Sequence, residues 1–123
     1  MPFEIQYDAE KECIFATFTG KITMALVHEY IDAILPVLEE HDCKRVLSDS
    51  RNAEIQLSAI DILSFPKLAA KSRHVMRCKR AVLASPGQSG YVMYETLSVI
   101  QGQKVRIFPD RDEAMKWLLE DSD

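Results

Sequence analysis

Two short polar runs hold the side chains best suited to chemistry. "SDSRN" contains Asp49, Ser50, Arg51 and Asn52, and "SPGQSG" contains Ser85, Gly87 and Ser89. Each follows a run that reads as a strand, "KRVL" in one case and "RAVLA" in the other. In an open α/β sheet, ligands bind beyond the carboxyl ends of parallel strands. If these two strands are neighbours, the polar runs face one another across one end of the sheet. Arg51, the serine hydroxyls and the backbone amides opening the next helix can then hold a small anion. The same residue types also make plain turns, because Asp and Asn bond their own backbone and Ser-Pro-Gly reverses the chain. Residue types alone leave both readings open.

Catalytic arrangements fail on inspection. "GQSGY" approaches the G-x-S-x-G elbow of hydrolases, but Tyr91 stands where the second glycine belongs and no histidine follows Ser89. No Gly-Lys-Ser/Thr follows the glycines, as a phosphate loop requires. His41 with Cys43, and His74 with Cys78, lack the further ligands of a closed tetrahedral metal site. The expectation is no catalytic residue, no metal and no cofactor. Were there a catalytic cleft, Asp49 is the titratable group it would use.

Ser58, in "IQLSAID", has two roles open to it. With Asp61 three residues on, it forms the pattern of a helix capping box. As a phosphoacceptor it would place a dianion at a helix N-terminus, which the helix dipole favours.

Charge is unevenly spread over the 123 residues, whose formal net charge is −4. "KLAAKSRHVMRCKR" holds Lys67, Lys71, Arg73, Arg77, Lys79 and Arg80 with no acid, against 19 acidic residues elsewhere. Such a stretch is a candidate patch for an acidic protein partner or headgroup, or a solvated link before a strand. Aromatic residues do not interleave with it, which argues against single-stranded nucleic acid. Three cysteines, an odd number, suit free thiols in a reducing cytoplasm, and no run of about 18 apolar residues is long enough to cross a membrane. The first residues show no basic start followed by an apolar core, so no signal peptide is expected.

The elements that must position these groups follow from periodicity. "FEIQYD" (3–8) alternates as a half-buried strand, and "ECIFATFTG" (12–20) is a β-branched and aromatic strand stopped by Gly20, the two forming a hairpin. From the N-cap Thr23 a helix carries Val27, Ile31, Ile34 and Leu38 on one stripe to about His41, with a kink or early end at Pro36. "KRVLSDS" is the third strand. Ser58 opens a helix through Ile60, Leu63 and Phe65, which Pro66 either breaks or restarts. "RAVLAS" is a buried parallel strand, "YVMYETLSVIQ" a helix ended by Gly102, and "KVRIF" the fifth strand. Asp110 and Glu113 cap a last helix with Ala114, Trp117 and Leu118 inside. The order ββαβαβαβα predicts one α/β domain over residues 1–123, a mixed, mostly parallel five-stranded sheet with helices packed on it.

That order and three stretches, "TGKIT", "GYVMYETLSVIQGQKVRIF" and "FPDRDEAMKWL", resemble the small bacterial STAS-like domains akin to anti-sigma-factor antagonists. The last is similar to the F-x-D-x-x-E-A-x-x-W-L ending of that group, carried here by Phe108, Asp110, Glu113, Ala114, Trp117 and Leu118. The resemblance implies a phosphoacceptor at the position of Ser58, although the aspartate before it and the glycine after it are absent here. It implies a non-enzymatic regulatory or binding module with a protein partner, and a homodimer is compatible with it. Other members of the fold imply an alternative, a carrier of a small or lipid-like apolar ligand, with Tyr91, Met93 and Tyr94 on a movable wall. A carrier requires an apolar cavity; a docking module requires a filled core and an exposed face.

Overall fold

The computed structural model describes residues 2–88 and 90–120. Its elements are β1 (Phe3–Asp8), β2 (Cys13–Ile22), α1 (Met24–His41), β3 (Arg45–Ile55) and α2 (Ala59–Ala70). They continue as α3 (Arg73–Arg77), β4 (Lys79–Leu83), α4 (Tyr91–Ile100), β5 (Lys104–Phe108) and α5 (Arg111–Leu119). The five strands lie in sequence order in one sheet, β1 antiparallel to β2 and every later pair parallel. Because each crossover steps in the same direction and crossovers are right-handed, all the connecting helices fall on one face. α5 alone covers the other.

Strand alternation sorts side chains between the two faces. Cys13, Leu47, Ala81 and Leu83 pack with Phe108, Ala114 and Leu118 under α5. Ile14 and Val46 pack under α1 with Ile34 and Leu38, and Ala16 and Phe18 pack there with Leu26. On the same face, Val82 and Ala84 meet Tyr91 of α4. The free edge of β5 is not bare, since the Ile107 N–H donates to Glu95 Oε2 of α4 at 2.6 Å.

Several local expectations change. β2 does not stop at Gly20: that residue adopts φ +78° and the strand runs on to Ile22. β3 likewise continues through Asp49, Ser50, Arg51 and Asn52 to Ile55. β3 takes one extra residue between the pairs Thr17↔Asp49 and Thr19↔Asn52, a bulge that puts Ser50 and Ala53 on one face. Polar residues are tolerated in a strand here because the neighbouring backbone satisfies their N–H and C=O groups. Neither proline ends its helix. Pro36 is exposed while Ile34 and Leu38 flanking it are buried, so packing on the sheet offsets the lost hydrogen bond. In α2 the buried residues are Ile62 and Pro66, and the expected Ile60 and Leu63 face outward at 77% and 46% exposure. A short α3, capped by Ser72, adds one helix to the expected order.

Candidate functional site

Consecutive residues of a strand point to opposite faces, and at the start of β4 both are cations. Lys79 turns toward α5, where Nζ donates to the carbonyls of Trp117 at 2.8 Å and Glu120 at 3.1 Å. It also sits 4.9 Å from the Trp117 ring centre. These are orphan carbonyls at a helix C-terminus, where a cation is favoured by the dipole. Lys79 is only 8% exposed. Arg80 turns the other way, under the helix layer.

There Arg80 meets a cavity of about 200 Å³ between the sheet and helices α1, α2 and α4. Its wall is mostly apolar and includes Phe18, Leu26, Ile34, Ile62 and Phe65, and Arg80 is the one charged residue among its lining. The guanidinium is held by its Nη atoms. One donates to the Tyr94 hydroxyl at 3.1 Å and the other to Gln103 Oε1. Gln103, itself buried, passes the connection to α2 by donating to the Pro66 carbonyl at 2.8 Å. Arg80 Nε is buried without a partner among the described residues, and so is the Tyr91 hydroxyl. No described carboxylate lies within ion-pair distance of Arg80, the two recorded ion pairs being His41–Glu40 and Arg51–Asp49.

Two more tyrosines line the cavity. Burial pushes the Tyr30 hydroxyl up to about 12, against opposing pulls from a hydrogen bond with Ser48 and from Arg80. Burial also raises Tyr91, and the nearby Ser50 hydroxyl opposes the rise without completing a well-formed hydrogen bond. A floor of hydroxyl groups around one guanidinium, under an apolar roof, can bind and orient. It offers no nucleophile–base pair for covalent chemistry.

The residues expected to form an anion site are brought together only in part. Ser50 is 4% exposed and lines the cavity. Asp49 and Arg51 lie on the opposite face and satisfy each other, with contacts of 3.0 and 2.9 Å. The Arg51 guanidinium holds the Asp49 carboxyl below its ordinary value despite partial burial, so Asp49 is an ordinary paired carboxylate. Asn52 is exposed on β3. The Ser85 N–H donates to Gln88 Oε1, and Gln88 Nε2 donates to the carbonyls of Ser50 at 3.1 Å and Ala53 at 2.8 Å. Gln88 thus pins the loop after β4 onto the β3 bulge. Gly87 takes φ +90° in the open turn, and Ser89 lies outside the described residues.

Ser58 is exposed and caps α2 reciprocally with Asp61, each backbone N–H donating to the other's side chain at 3.1 Å. Of the cationic stretch, Lys67, Lys71, Arg73 and Arg77 are exposed. Lys79 and Arg80 do not join them, because β4 turns one to each face of the sheet. His41 stacks on Tyr7 with ring centres 3.8 Å apart, and Cys13, Cys43 and Cys78 are buried free thiols.

Sequence reasoning placed Arg80 in the cationic patch rather than in the cavity, and did not single out Tyr30, Ser48 or Gln103. The available signal was Arg80 two positions from Val82 in an apolar strand run, which puts both on one face.

No family model matches the chain, and no curated protein does. Among solved structures it is similar to the crystal structure of an anti-sigma factor antagonist from Mycobacterium paratuberculosis, with a TM-score of 0.64 over 96% of this chain and 95% of that one. Identity is 12%, and what the two share is the fold. The chain has a STAS-like fold. Among the described residues no helix is long and apolar enough to cross a membrane.

Proposed function

We propose that this protein is a non-enzymatic binding module that encloses a small, largely apolar molecule between its sheet and helices α1, α2 and α4. The observation carrying this reading is the cavity of about 200 Å³, apolar but for one cation and a few hydroxyls. Apolar walls with a few convergent polar groups are the usual make-up of a small-molecule site. The volume lies below the roughly 300–1,000 Å³ of sites for drug-sized ligands, so the occupant is small.

Native mass spectrometry of gently purified protein tests this. A retained small molecule, released on denaturation, supports the reading. A bare chain that also takes up no added apolar compound overturns it.

A second reading, a module working through protein contacts, is favoured by a different observation. Ile60 on α2 and Val92 on α4 are 77% and 72% exposed, and Leu63 and Met93 beside them are also exposed. Scattered apolar residues are ordinary, but four at the starts of two packed helices form a candidate contact face. The similar solved structure is named as an anti-sigma factor antagonist, which agrees with a regulatory role of this kind.

A further inference from the structure

Resting on the cavity reading above, we propose that the ligand is an amphiphile with a single carboxylate head, bound with that head against Arg80. Arg80 is the one charged residue in the cavity lining, and no described carboxylate pairs with it. Its Nη atoms are occupied by neutral acceptors, Tyr94 and Gln103, while Nε is buried and unpartnered. Arg80 is half-buried, and its unpartnered Nε is a donor left unsatisfied until an acceptor joins it.

The head is a monoanion on stoichiometric grounds, because one guanidinium has no second cation beside it to balance a dianion. Arginine's planar fork matches a carboxylate with two parallel N–H···O bonds. The Tyr30 hydroxyl lines the same cavity, close enough to feel the charge of Arg80, and is a further donor for a carboxylate oxygen. The tail is apolar because Phe18, Leu26, Ile34, Ile62 and Phe65 surround the remaining space. At roughly 30 Å³ for each water-sized group, the cavity takes a head and a short tail. A longer tail extends out through the open side of the cavity.

Isothermal titration calorimetry with decanoate, decanol and decyl phosphate, which share one tail, tests the head directly. The expected order places decanoate about tenfold or more ahead of decanol. Arg80→Met keeps the bulk and removes the charge; it should bring decanoate down to the level of decanol. Circular dichroism of that variant establishes that it folds, and the three wild-type titrations decide the question without it. Equal binding of decanoate and decanol overturns the carboxylate head and leaves the cavity reading standing. Tighter binding of decyl phosphate overturns it in favour of a phosphate monoester. Failure of all three to bind removes the cavity reading itself.

Discussion

The Arg80 guanidinium donates to the Tyr94 hydroxyl at 3.1 Å, tying the second residue of β4 to α4 across the cavity. This contact joins the floor of the cavity to one of its walls, so the charge and the position of α4 are coupled. Tyr94→Phe leaves a buried donor without its acceptor and should lower stability by about 1–3 kcal/mol in urea unfolding. In an Arg80→Met background the same change should cost almost nothing. Equal losses in both backgrounds would show that the hydroxyl acts through a partner other than Arg80.

Filling the cavity should raise stability and block binding together. Ala69, on α2, lines the space. Ala69→Leu puts three more carbons into it and should stabilise the free protein by about 1 kcal/mol. Decanol titration of the same variant should show binding lost. A variant that is destabilised by overpacking would place Ala69 against a filled wall.

Gly90 holds α4 close to α2. A Cβ there would sit 2.9 Å from Ile62 Cδ1, at a backbone φ of +89°. Gly90→Ala should therefore cost about 1–3 kcal/mol. Adding Ile62→Val removes the clashing methyl and should restore only part of the loss, the remainder being backbone strain. Thermal unfolding of the single and double variants separates the two contributions.

Ser58 is a cap in the structure, and its removal should be felt in α2. Ser58→Ala should cost about 1 kcal/mol, whereas Ser58→Asp retains the acceptor, adds a charge the helix dipole favours, and should be near neutral. Hydrogen exchange of the Asp61 amide, the recipient of the cap, should speed up in the alanine variant alone.

Burial pushes the Cys13 and Cys78 thiols from 9.0 up to about 12, with Cys43 adding to the rise in both. Their folded form keeps its protons while the unfolded chain loses them. Stability from this source is full below 9.0 and falls as pH rises from there towards about 12. Denaturant titrations across that range should show a shallower fall for Cys78→Ala than for the unaltered protein. At neutral pH a thiol reagent should label Cys13 and Cys78 only as fast as the protein opens.

Much of the fold is legible along the chain. The alternation of "FEIQYD", the caps at Thr23, Ser58 and Asp110, and the apolar runs of β4 and β5 set the elements and their order. Each depends on neighbours within a few residues. What could not be read is whatever depends on a distant strand or helix. The polar run Asp49–Asn52 looks like a turn until β2 is placed beside it and its backbone is seen to be paired. Pro36 and Pro66 look like breaks until the buried residues around them are seen to hold their helices together. Gln88 looks like a loop residue until it is found on the carbonyls of Ser50 and Ala53, 38 and 35 positions earlier.

The site shows the division most sharply. The sequence by itself determined that Lys79 and Arg80 are adjacent cations where a strand begins, and that residues two apart along that strand share a face. It carried no statement of what each face would meet. Only the tertiary structure decided that α5 lies on one side, ending its carbonyls on Lys79, while four helices lie on the other, leaving Arg80 in a cavity. The reason is physical: the strength of a charge's interactions depends on the burial and partners around it, and these are supplied by parts of the chain far away in sequence.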